Sequence, residues 1–275
     1  MRFEEKLGYI ITFESFGVRV SLQSKNSDFL RQAFEIAVKC LLGNLTVIEN
    51  AEVDLGYAFR LEKDAAGEML LFENEERTFY GGIESSYFRY FNAMLRVNIA
   101  ARAKDMVFVH AGVVGWKDTA VVLPASSHSG KTTLVASLLA LGAKYFSDEY
   151  AIIDTEGMIH PFARPLSIRD FDEMHNVAEV PFEFFGGKPA EGPARVGAVL
   201  LTDYEAGAIW NPRTLTLGQG ILATLPHAIP LTVDTSLSMK LLNKAFDGAV
   251  IVESQRGDVK VSSKAIIDFL DKHLN

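Results

Sequence analysis

Eight consecutive residues, Ala125-Ser126-Ser127-His128-Ser129-Gly130-Lys131-Thr132, carry the most specific chemistry in the chain. A small residue, four variable ones and then Gly-Lys-Thr is the spacing of a phosphate-binding loop, with Ala125 where glycine is commoner. In such a loop successive backbone N–H groups turn inward and present a ring of donors to a polyphosphate. Gly130 permits close backbone approach, Lys131 places a point charge on the outer phosphates, and the Thr132 hydroxyl suits a Mg²⁺ shell. Thr133 completes the expected nucleotide-binding set, and the chemistry points to ATP or GTP. His128 occupies a variable position where the backbone matters more than the side chain.

Ser147-Asp148-Glu149 follows the loop at short range. Adjacent carboxylates beside a metal and a triphosphate divide the work, one holding Mg²⁺ or its water while the other accepts the proton of an attacking hydroxyl. The plainer reading is an acidic surface turn. His110, inside the apolar run Val107-Phe108-Val109-His110-Ala111-Gly112, has two readings: a core histidine, or an imidazole hydrogen-bonded to the carboxylate pair. Arg164 and Arg169 are either solvated or neutralise transferring charge.

These groups need a strand running into the loop and a helix leaving it. Residues 119–123 are β-favouring and end at Pro124, and Leu134, Leu138 and Leu141 form one helical stripe that Gly142 stops. The positive end of that helix lies beneath the phosphates. Strands are expected over 106–114, 144–146, 151–154 and 158–161, with turns at Lys117-Asp118 and Thr155-Glu156-Gly157. Hairpins this close to the loop differ from the regular strand–helix alternation of common nucleotide hydrolases. Residues 180–195, rich in proline and glycine, read as a linker or a lid. A strand over 196–202, helices over 215–225, 237–246 and 263–274, and a strand over 249–253 complete this part.

The first hundred residues read as a small α+β unit without catalytic groups. A hairpin pairs 9–13 with 18–22, a helix covers 28–41, and strands at 57–61 and 69–72 flank a polar turn. A long helix over 86–104 carries Phe88, Phe91, Leu95 and Ile99 beside Tyr87, Tyr90 and Met94. This stripe is read as core in preference to a platform for a ligand base. The division falls near this helix, giving domains 1–104 and 105–275.

The chain has 275 residues, 48% hydrophobic and 23% charged, and a formal charge of −8, which argues against broad contact with nucleic acid or anionic membrane. Cys40 is the only cysteine, so neither an internal disulfide nor a cysteine metal cluster is available. No apolar stretch has the length or flanks of a signal peptide or a membrane span, and the expected location is cytoplasmic.

Together, His110-Ala111-Gly112, the phosphate loop and Gly142-Ala143-Lys144-Tyr145-Phe146-Ser147-Asp148-Glu149 resemble the catalytic domain of the HPr kinase/phosphorylase family. The resemblance spans about residues 106–168 and implies a phosphoenolpyruvate-carboxykinase-like α/β nucleotide-binding domain with a mixed sheet, here preceded by the small α+β domain. It makes Lys131 the phosphate-binding lysine, Thr132 and Asp148 the metal-side groups, and His110 the histidine near the acidic pair. Glu149 falls where the family has its acid/base aspartate, one methylene longer. Ser167 falls where the family has a metal-binding glutamate, with Asp170 or Asp172 as substitutes. The N-terminal hundred residues do not resemble the enzyme's usual N-terminal domain, which points to a relative of the bifunctional enzyme with another acceptor.

The resulting expectation is a Mg²⁺-ATP-dependent kinase acting on a hydroxyl, a serine first, of a protein, peptide or small molecule. The rival is a catalytically inactive nucleotide sensor whose N-terminal unit engages a protein partner. An ordinary motor or transporter ATPase ranks last, because the sequence shows no further strand ending in a lone acid and no Leu-Ser-Gly-Gly segment. The family's members form oligomers, so a homo-oligomer is one expectation by analogy, and the oligomeric state stays open.

Overall fold

The computed structural model describes residues 2–4, 8–49, 56–125, 129–169 and 177–274. Ser126, Ser127 and His128 of the loop, and Asp170 and Asp172, lie outside these residues, as does the side chain of Arg169. Contacts divide the chain into two compact units, Met1–Lys104 and Asp105–Asn275.

In the first unit the strands are β1 (Arg2–Glu4), β2 (Gly8–Ser15), β3 (Val18–Ser24), β4 (Thr46–Val47), β5 (Tyr57–Lys63), β6 (Met69–Glu73) and β7 (Glu76–Gly81), with helices α1 (Ser27–Cys40) and α2 (Glu84–Arg102). The sheet runs β1-β2-β3-β5-β6-β7, with β4 beside β2. Phe16 and Gly17 both take positive φ, which matches the twist of the β2–β3 hairpin. Asn26 caps α1 by accepting from the amides of Asp28 and Phe29 at 2.9 and 3.0 Å. Tyr87, Phe88, Phe91, Leu95 and Ile99 of α2 are buried with Phe13, Leu22 and Phe59 of the sheet, so the aromatic stripe is core. Cys40 is buried and unbridged. Strand β7 has no counterpart in the sequence reading, because its polar residues lack the alternation that marks a half-buried strand.

The second unit contains β8 (Met106–Trp116), β9 (Thr119–Pro124), α3 (Lys131–Ala140), β10 (Lys144–Ser147), β11 (Tyr150–Asp154), β12 (Met158–His160), β13 (Leu166–Arg169), β14 (Val177–Val180), β15 (Lys188–Pro189), β16 (Ala194–Tyr204), β17 (Arg213–Thr214), α4 (Leu217–Thr224), α5 (Thr235–Phe246), β18 (Val250–Arg256) and α6 (Val259–His273). Its sheets are mixed, and the chain is a mixed α/β protein. Strand β8 changes partners along its length: Met106 to His110 pair with β11, and Ala111 to Trp116 pair antiparallel with β9. On its other edge β9 runs parallel to β16, which runs parallel to β18.

Alternate residues of β9 enter different cores, as strand geometry requires. Val121 and Leu123 pack with Leu134, Leu138, Ile266 and Leu270 of α3 and α6. Ala120 and Val122 pack on the side of Ile221, Leu241 and Leu242 from α4 and α5. Covered on both faces, β9 over residues 120–123 and β16 over residues 196–201 are apolar instead of alternating.

Three expectations are corrected. Part of 180–195 has regular structure: β14 pairs antiparallel with β13, and a 3-10 turn at Phe182–Phe185 precedes β15. Helix α6 starts at Val259, four residues before the expected start, because the Asp258 side chain caps it. A further strand does end in an acid: β16 runs through Thr202 to Asp203 and Tyr204, parallel to β9. Its absence therefore no longer counts against an ordinary nucleotide hydrolase.

Candidate functional site

The site lies at the carboxyl end of β9, where ligands collect on open sheets with parallel neighbours. Gly130 precedes α3 with φ of +78°, a left-handed conformation that calls for glycine, and a Cβ there would lie 2.9 Å from Arg256 Nη2. No side chain caps α3 and no acid occupies its first turn, which leaves its leading N–H groups to an anion.

His110 sits at the joint of β8. Its Nδ1 lies 2.7 Å from the Ala125 carbonyl and its Nε2 3.3 Å from Lys131 Nζ. A carbonyl only accepts, so Nδ1 carries the proton and Nε2 accepts from the lysine. Burial, then the Lys131 charge, holds the imidazole below its ordinary pKa and keeps it neutral, against Ala125 and Glu149. Of the two readings of His110, the hydrogen bond to the carboxylate pair is not formed: the ring is turned to the lysine and the start of the loop. Burial also pulls Lys131 down, opposed by Asp148 and Glu149.

The His110–Ala111 peptide bonds in two directions. Its carbonyl accepts from the Ala125 amide at 3.4 Å, and its N–H donates to the Glu149 carbonyl at 3.2 Å. Gly112 follows, and a Cβ there would meet Val135 Cγ2 at 2.7 Å and Lys131 Cγ at 3.2 Å. The absent side chain lets α3 rest on β8.

Asp148 is buried, and its Oδ2 accepts from the Thr132 hydroxyl at 2.8 Å while Oδ1 has no partner. Burial pushes it up to about 6, against Lys131 and Thr132, which lower it. The buried Ser129 hydroxyl also lacks a partner. An orphaned carboxylate oxygen next to a threonine hydroxyl fits Mg²⁺, which takes one or two protein oxygens and completes its shell with phosphate and water. Among the described residues no group of three or more His, Cys, Asp and Glu could hold a metal alone.

Glu149 Oε2 meets Arg164 Nη1 at 2.5 Å, and Arg164 Nη2 reaches Glu179 Oε1 at 3.2 Å. The solvated reading of Arg164 therefore fails: the residue is buried, and its carbonyl accepts from the Tyr145 hydroxyl at 2.7 Å. Ser167 lies directly across β13–β14 from Glu179, so a carboxylate stands on the strand beside the serine. Sequence reasoning missed Glu179 and Arg256. It also missed His227, whose neighbour Ala228 bridges Val109 and which burial pulls down in pKa, with Lys131 acting the same way.

No family model matches the chain, and no curated protein matches it. Among solved structures, the Hpr(Ser) kinase/phosphatase from Coxiella burnetii is similar at 14% identity, over 60% of this chain and 95% of its own, with a TM-score of 0.32. A likeness this faint bears on neither activity nor substrate. Among the described residues no helix is long and apolar enough to cross a membrane.

Proposed function

We propose that the second unit is a Mg²⁺-ATP-dependent kinase that transfers the γ-phosphoryl group to a hydroxyl, a serine first, of a protein, peptide or small molecule. The observation that carries this reading is the Thr132–Asp148 pair with its orphaned Oδ1, set against the head of α3 and Lys131. A module that only cradles phosphate has no need of a buried carboxylate there.

In this reading Lys131 and the amides at the head of α3 take the charge of the outer phosphates, and His110 holds the lysine in place. Thr132 and Asp148 would hold Mg²⁺, which when bound neutralises charge developing on the transferred group. Glu149 accepts the proton of the acceptor hydroxyl as its oxygen bonds to phosphorus and the bond to the ADP oxygen breaks. Arg164 fixes the orientation of Glu149. Preorganised charge of this kind supplies most of the catalysis in phosphoryl transfer.

A second reading, a nucleotide sensor without transfer, is favoured by the Arg164 ion pair, which already occupies one oxygen of the proposed base. Calorimetric titration of ATP with and without Mg²⁺, in wild type and Lys131→Ala, followed by product analysis, separates the readings. Magnesium-dependent binding that is lost in the variant, with slow ADP formation, supports the kinase. Binding without any turnover supports the sensor, and no binding overturns both.

A further inference from the structure

Arg256 ends β18 against the phosphate loop and is only 2% exposed. Nη2 donates to the Ser129 carbonyl at 2.7 Å, and the buried Nε has no partner. Among the described residues no carboxylate forms an ion pair with it, and Asp203 acts on it from further away. A buried guanidinium this weakly neutralised is costly to keep, and charges are seldom buried unless something pairs with them.

The geometry of one peptide gives the residue a purpose. The Ser129–Gly130 bond is trans, so the Ser129 carbonyl and the Gly130 N–H point in opposite directions. With the carbonyl held by Arg256, the Gly130 N–H is turned away from the guanidinium. Gly130, in its left-handed conformation, leads directly into the uncapped head of α3. Arg256 thereby fixes which face of the Ser129–Gly130 peptide presents its N–H, and brings a positive charge to the end of the helix that already favours anions.

We infer that Arg256 is the positioning arginine of this anion site: it holds the Ser129–Gly130 peptide in its phosphate-binding orientation, and the phosphates of a bound nucleotide or pyrophosphate compensate its charge. The inference rests on the nucleotide-binding reading above. Removing the side chain weakens binding of polyphosphate without weakening the ligand-free fold, because an under-neutralised buried cation is removed with it.

The test uses the full chain as wild type, Arg256→Met and Arg256→Lys, with magnesium complexes of ATP, ADP and pyrophosphate as probes. Dissociation constants are read by calorimetry and thermal midpoints with and without ligand. The expected result is a ligand-free midpoint for Arg256→Met at or above wild type, with ATP and pyrophosphate each bound about tenfold or more weakly. Arg256→Lys, which keeps the charge but not the planar fork, recovers part of that loss. Wild-type affinity in Arg256→Met overturns the inference and leaves the nucleotide reading intact, whereas no binding by wild type overturns both. If weaker binding comes with a lower ligand-free midpoint, the lysine variant decides: partial rescue supports the inference and no rescue overturns it. If Arg256→Met does not fold, Arg256→Lys at a wild-type midpoint decides, with weakened affinity in support and unchanged affinity against. Loss of ATP binding with pyrophosphate binding unchanged overturns the assignment to the phosphates.

Discussion

The Thr132 hydroxyl donates to Asp148 across 2.8 Å, and this single bond satisfies only one of two buried carboxylate oxygens. Lys131, the Thr132 hydroxyl and the Ser167 amide favour the carboxylate, but burial outweighs them, so ionising Asp148 is a net cost in the ligand-free protein. Its folded pKa of about 6, raised from 3.8, means that the folded protein keeps a proton the unfolded chain releases. The stabilisation this proton brings is complete below about pH 4 and lost as pH rises through about 6. Thermal melts without metal or nucleotide should show that loss in wild type and not in Asp148→Asn, which should also melt higher at neutral pH.

Glu149→Gln keeps an oxygen that accepts from Arg164 but cannot take up a proton. Phosphoryl transfer should fall by about a hundredfold or more, with ATP affinity unchanged. Radiolabel transfer and calorimetry on the same preparation check this, and equal losses in both would remove Glu149 from the base position.

Arg164→Met removes the guanidinium 2.5 Å from Glu149 in a half-buried setting, while the more exposed Glu179 suffers less. A destabilisation of about 2 kcal/mol is expected in denaturant unfolding, with Arg164→Lys recovering part of it. A loss near zero would show that the ion pair adds nothing to the fold.

Gly112→Ala puts a methyl group 2.7 Å from Val135 and 3.2 Å from Lys131, so α3 must move off β8. The expected cost is about 1–3 kcal/mol, together with weaker nucleotide binding. Affinity that stays at the wild-type value in a destabilised protein would mean that Lys131 tolerates the shift.

What the sequence made legible was local. Residues 119–142 announce strand, turn and helix within one window, and the helices of the first unit follow from the spacing of Leu30, Phe34 and Phe91. Arg256 stayed hidden because its neighbour Ser129 lies far away in sequence and is met only through the order β9-β16-β18. Glu179 stayed hidden because only the β13–β14 register puts it opposite Ser167. Asp203 went unnoticed because the strand was expected to stop at Thr202. The strand of His110 was placed correctly beside the loop strand, yet the partner of its ring was not, since the Ala125 carbonyl and Lys131 take both ring nitrogens.

The His110–Ala111 amide has a consequence for how such a site can diversify. A single planar unit, which twisting distorts only at considerable cost, grips the start of the phosphate loop with its oxygen and the Glu149 backbone with its nitrogen. The separation between the two halves of the site is then set by bond lengths, as on a rigid gauge, and the side chains facing solvent do not alter it. Replacing surrounding loops can exchange one acceptor for another while that gauge stays the same, so changes of substrate should collect in the loops and leave this amide's partners in place.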